Sequence, residues 1–118
     1  SFPAGVRLSA TELYQRMTEL TDGAWMTPYN QLWAEMIVIG ARGDGPAGPI
    51  ARDVVRGFVE LIDARLAIDD PVLRRQIAAL LVVQSDVTCF YRPIDDANQV
   101  DLARTGLKTL LEQIEPAG

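Results

Sequence analysis

The sequence predicts an all-α fold: five helices, the last two forming a four-helix bundle with a symmetry mate. Three observations carry this. Apolar residues recur at three- and four-residue steps along most of the chain. Helix starts are marked by Ser9, Thr27-Pro28 and Asp70-Pro71, residues that cap a helix or fit its first turn. The run Ile77-Ala78-Ala79-Leu80-Leu81-Val82-Val83 is apolar around the whole circumference of a helix, leaving no face for water within one subunit.

Helix one opens on Ser9 and Glu12, which have capping-box spacing, with Leu8 and Leu13 placed as a hydrophobic staple. Leu13, Met17 and Leu20 mark its buried stripe, Tyr14 flanks it, and Asp22-Gly23 ends it. Helix two starts at Thr27-Pro28. Leu32, Trp33, Met36 and Ile37 form its apolar face, Asn30, Gln31 and Glu35 face away, and Gly40 and Gly43 close it. Residues 43–49, rich in glycine and proline, form the connection to helix three.

Helix three is expected from residue 49 to 67, or from a turn earlier at Pro46. Ile50, Val54, Phe58, Leu61, Ile62 and Leu66 line one face, and Val55 and Val59 widen it. Arg52, Asp53, Arg56, Glu60 and Asp63 fill the wet side. An Arg56–Glu60 pair there contributes only about 0.2–0.5 kcal/mol. Helix four begins at Asp70-Pro71 and is broken by Tyr91-Arg92-Pro93, since proline disfavours helical geometry in the residue before it. Helix five starts near Asp95, carries Val100, Ala103, Leu107, Leu110, Leu111 and Ile114 on one stripe, and stops at Glu115-Pro116.

The 118 residues suffice for one domain with one core. A 48% hydrophobic composition excludes disorder, and the unbroken apolar runs are shorter than a bilayer requires, so no membrane partner is expected. A net charge of −5 repels phosphate backbones. The single cysteine, Cys89, excludes an internal disulfide, fits a reducing, cytoplasmic setting and reads as a small buried hydrophobe. With no histidine, His-ligated metals, serine triads and imidazole acid–base chemistry are unavailable, so neither a metal nor a cofactor is expected. The start, Ser1-Phe2-Pro3-Ala4-Gly5, has neither the basic nor the apolar part of a signal peptide and no initiator methionine, which leaves room for an upstream domain.

Met17, Trp25, Tyr29, Trp33, Met36, Phe58 and Ile62 put aromatic rings and sulfur on the first three helices and the turn between the first two. They read as walls of a mostly apolar pocket or as plain core. Gln84 lies one turn after Leu80 and Leu81, and Thr88 one turn later. A buried amide there needs a partner from a ligand, another subunit, the backbone or water. Asp86 has the chemistry of a general base but no companion acid or nucleophile, so no catalytic residue is assigned. Asp69-Asp70 and Asp95-Asp96 read as helix caps. Gly106, in mid-helix, marks either a close helix approach or a local irregularity. Leu80, Val83, Val87, Leu102, Gly106 and Leu110 are the expected dimer contacts.

Leu32-Trp33-Ala34-Glu35-Met36, the helix over 50–66, the Asp70-Pro71-Val72-Leu73 start with its apolar continuation, and the 102–111 segment together resemble the C-terminal domain of TetR-type bacterial transcriptional regulators. The resemblance covers about residues 9–114 and rests on helix order rather than on a signature motif; the 43–49 connection departs from the usual pattern. It implies a homodimer formed through the last two helices and a small hydrophobic effector held by the helices before them. It also implies DNA binding only through an N-terminal helix-turn-helix domain that this chain lacks. The competing expectation is a stand-alone helical dimerisation or protein-interaction module without a ligand; an enzyme ranks third.

Overall fold

The computed structural model describes residues 5–115. Among these, the chain forms five α-helices and no strand: α1 (Ala10–Asp22), α2 (Thr27–Ala41), α3 (Ala47–Arg65), α4 (Pro71–Tyr91) and α5 (Gln99–Ile114), with single 3₁₀ turns at Ala24–Met26 and Arg92–Ile94. Residues 1–4, read above as no signal peptide, and Pro116, expected to stop the last helix, lie outside the described residues.

The caps form as their chemistry requires. The Ser9 hydroxyl accepts the Glu12 N–H at 3.1 Å, and the Asp70 carboxylate accepts the Val72 N–H at 3.0 Å. Asp95 accepts from the N–H groups of Gln99 (2.9 Å) and Val100 (3.0 Å), so it does bind a helix start. That start is Gln99, however, four residues later than expected. Pro93 directs the chain into the 3₁₀ turn, and Asn98 at φ 57° turns it into α5. Helix three begins at Ala47, nearer the Pro46 alternative. Arg56 pairs with Asp53 at 3.2 Å and not with Glu60.

The core is concentrated where α1, α3, α4 and α5 meet. Leu13, Tyr14 and Met17 of α1 pack with Ile62 and Leu66, with Ile77, Ala78, Leu81 and Val82 of α4, and with Leu107 and Leu111 of α5. The segment before α1 is drawn in by a backbone bridge. Leu8 N–H donates to the Arg65 carbonyl at 2.7 Å and the Ala67 N–H donates to the Leu8 carbonyl at 2.8 Å, burying Leu8 beside Leu66. At the far end the Glu115 carboxylate accepts from the Thr11 N–H (2.8 Å) and hydroxyl (3.0 Å), tying the end of α5 to the first turn of α1.

Several expected core positions lie outside this cluster. Leu20 is exposed, because α1 runs past the end of the core. No residue of α2 is fully buried; Trp33, Met36 and Ile37 are half-covered and Leu32 is exposed. α2 and α3 form a hairpin in which Gly40, expected to close α2, instead lies inside the helix against Gly48. A Cβ on Gly40 would approach the Gly48 Cα to 2.8 Å. Backbone therefore packs on backbone at that point, and the positive φ needed by the turn falls to Gly43 and Gly45. Ile50, Val54 and Phe58 of α3 are exposed, so only the last turns of that helix reach the core. α4, its apolar circumference expected to be covered only with a second subunit, touches each of the other helices and leaves Leu80, Val83 and Val87 in solvent. With the following turn, Pro71–Ile94 is long and apolar enough on average to cross a membrane, although its unbroken apolar run is shorter, and core helices share this property.

Candidate functional site

A cavity of about 120 Å³ opens where α1, α3 and α4 diverge from the core. Met17, Leu20 and Thr21 form one wall and Phe58, Leu61 and Ile62 the second. Val82, Ser85 and Asp86 of α4 form the third. The helical repeat accounts for that last set. Ser85 and Asp86 follow Leu81 and Val82 by one turn, so the inward face that buries the leucine and valine carries a hydroxyl and a carboxylate to the cavity.

Among the described residues, the Ser85 oxygen lacks a partner here and the Asp86 carboxylate lacks a counter-charge. Ser85 is 5% exposed and its Oγ has no hydrogen-bond partner. Asp86 forms no ion pair among the described residues. Burial raises its carboxyl above the ordinary 3.8, with hydrogen bonding from the Trp33 side chain opposing the shift. Beside them, Gln84 and Thr88 are engaged within the chain. The Gln84 side-chain Oε1 accepts from the Tyr14 hydroxyl and the side-chain amide donates to the Ala103 backbone carbonyl at 3.3 Å. The Thr88 hydroxyl donates to the Gln84 backbone carbonyl at 2.9 Å and accepts from the Arg104 guanidinium at 3.4 Å. Gln84 thus links α1, α4 and α5. Burial raises the Tyr14 phenol, with Arg104 opposing the rise.

A larger cleft, about 500 Å³, lies at the end of α1, bounded by the start of α2, the end of α4 and the first turn of α5. Asp22, Asn30, Cys89, Arg92 and Asp101 are among its lining residues. Its charges are already matched. Asp22 pairs with Arg104 and, at 3.4 Å, with Arg92, which reaches Asp101 at 3.2 Å. Burial also raises the half-covered Cys89 thiol, favouring its inert protonated form. A third hollow, about 430 Å³, follows the α2–α3 hairpin past Gly40 and Gly48. The small cavity is the better candidate because it alone joins apolar walls to an unpartnered buried polar atom.

Of the nine residues expected at a ligand site, Met17, Phe58 and Ile62 line this cavity. Phe58 does so at the mouth, 53% exposed. Trp33 stands near Asp86 but is not among the lining residues. Trp25 and Tyr29 pack edge to face on the surface, ring centroids 6.3 Å apart, and line none of the three hollows; Met36 is half-covered and also outside them. Sequence reasoning missed Leu20 and Leu61 as walls and Ser85 as a polar group. The readable signal for Ser85 was its i+4 relation to Leu81. The six expected dimer contacts are all exposed in the single chain, Val83 at 54% and Leu110 at 59% among them. Space beside Gly106 is open to at least 4 Å. Arg74, half of the only adjacent arginine pair, is held by Asp63 at 3.3 Å and the Ile68 carbonyl at 3.0 Å. Among the described residues no group of three or more metal-ligating side chains occurs.

Compared with known proteins, the chain matches no family model, no curated protein and no solved structure.

Proposed function

We propose that the chain is the ligand-sensing and dimerisation domain of a bacterial TetR-type transcriptional regulator. In this reading it works in the cytoplasm and controls operator binding by a separate N-terminal domain. The observation that carries the reading is the division of α4 into two functional faces. Val82, Ser85 and Asp86 line the cavity, while Leu80, Val83 and Val87 present an apolar row to solvent, as Leu102 and Leu110 of α5 also do. A second copy placed on that row by a two-fold axis forms the four-helix bundle. An effector that displaces α4 in the cavity then displaces the same helix at the interface, which is the coupling a sensor requires.

A stand-alone dimerisation module is the second reading. It is favoured by Gln84 and Thr88, whose hydrogen bonds are made inside the chain and need no guest.

Sedimentation equilibrium at micromolar concentration tests the assembly: a dimer is expected, and a monomer refutes both readings. Sequencing the coding region upstream of Ser1 separates them. A basic helix-turn-helix segment there supports the regulator, and its absence leaves the module.

A further inference from the structure

We infer that the cavity between α1, α3 and α4 takes a small primary amine with an aryl or short alkyl body, its ammonium group held by Asp86 and Ser85. The inference rests on the sensing reading above and gives it a ligand class. At about 120 Å³ the cavity is close in size to the roughly 150 Å³ void that admits benzene. Its walls, Met17, Leu61, Ile62 and Val82 among them, supply the apolar contact that such a body needs.

The polar end selects the charge. Asp86 is a partly buried carboxylate with no cation paired to it among the described residues, and Ser85 beside it has an orphaned oxygen in a 5% exposed residue. Both groups accept hydrogen bonds, and an ammonium offers three donors with the complementary charge. A carboxylate guest would meet Asp86 as a like charge. A neutral hydrocarbon would fill the space and leave the Ser85 oxygen without a partner and the Asp86 carboxylate without a counter-charge, the costlier outcome for polar groups out of water.

Isothermal titration of the chain at pH 7 with benzylamine, toluene and benzyl alcohol tests the assignment. Benzylamine is expected to bind one to one, at least about tenfold tighter than toluene, as a charge-assisted hydrogen bond implies. Asp86→Asn should erase that preference while keeping toluene affinity, and Ser85→Ala should weaken benzylamine severalfold. Toluene or benzyl alcohol binding as tightly as the amine overturns the amine assignment and leaves a sensing pocket. Amine preference surviving in Asp86→Asn overturns it as well; if that variant does not fold, undiminished benzylamine affinity in Ser85→Ala does so. No binding by any of the three probes overturns both the ligand class and the sensing role.

Discussion

Replacing Gly106 by leucine should move two observables in opposite directions. A Cβ at this position meets nothing within 4 Å, so the single chain accepts the side chain without a clash. Gly106 is in the middle of α5, where glycine costs about 0.8–1 kcal/mol in helix propensity and leucine far less. Folding of the monomer should therefore gain up to about 1 kcal/mol. Association should respond the other way if a symmetry mate approaches α5 along Leu102, Gly106 and Leu110. Overpacking a tight contact costs about 1–3 kcal/mol, and a two-fold interface holds the substitution twice. A weakening of tenfold or more in the dimer dissociation constant follows, at about 1.4 kcal/mol per tenfold. Sedimentation equilibrium reads the association, and urea denaturation at a concentration below dissociation reads the monomer. A Gly106→Leu chain that dimerises as tightly as the parent, or more tightly, refutes the placement of α5 in the interface.

Gly40→Ala, although it improves helix propensity, should destabilise the fold by roughly 1–2 kcal/mol. Its Cβ meets Gly48 backbone at 2.8 Å, and overpacking outweighs the propensity gain; Gly48→Ala, whose nearest contact is 3.2 Å, should cost less in the same denaturant midpoint measurement. Gln84→Leu should cost about 1–3 kcal/mol by stranding the Tyr14 hydroxyl in a 2% exposed residue, and a thermal melt that is unchanged would show the bond contributes nothing. Asp86→Asn should be more stable than the parent at neutral pH. Burial raises the Asp86 carboxyl, so the native chain holds that proton more tightly than the unfolded chain and its contribution falls as pH rises through the folded value. The advantage of Asn should shrink on acidification and vanish below the ordinary 3.8; a difference constant with pH would contradict the shift. Duplex DNA at physiological salt should show no micromolar, salt-sensitive binding in an anisotropy assay, given a charge of −5 and an Arg74 already bound to Asp63.

Local chemistry determined the helices. Ser9, Asp70 and Asp95 each meet backbone N–H groups a few residues away, and the Pro93 break lies between α4 and α5, so these features depend on near neighbours that the sequence displays. Burial follows a different rule, because it depends on which helices come together. The periodicity of α3 shows one apolar face, but only the meeting with α1 and α4 buries Ile62 and leaves Ile50, Val54 and Phe58 in solvent. A glycine reads alike as a stop, a hinge or a contact. Gly40 became a contact because Gly48 is brought against it. The cavity follows the same logic: Met17, Phe58 and Ile62 were legible as apolar, yet Ser85 became an unpartnered group beside them only because α1, α3 and α4 come together around it. Helix signals act over a few residues, so the helical elements and their apolar faces are legible along the chain; the uncovered faces and the cavity depend on contacts between residues far apart and arise only when the helices pack.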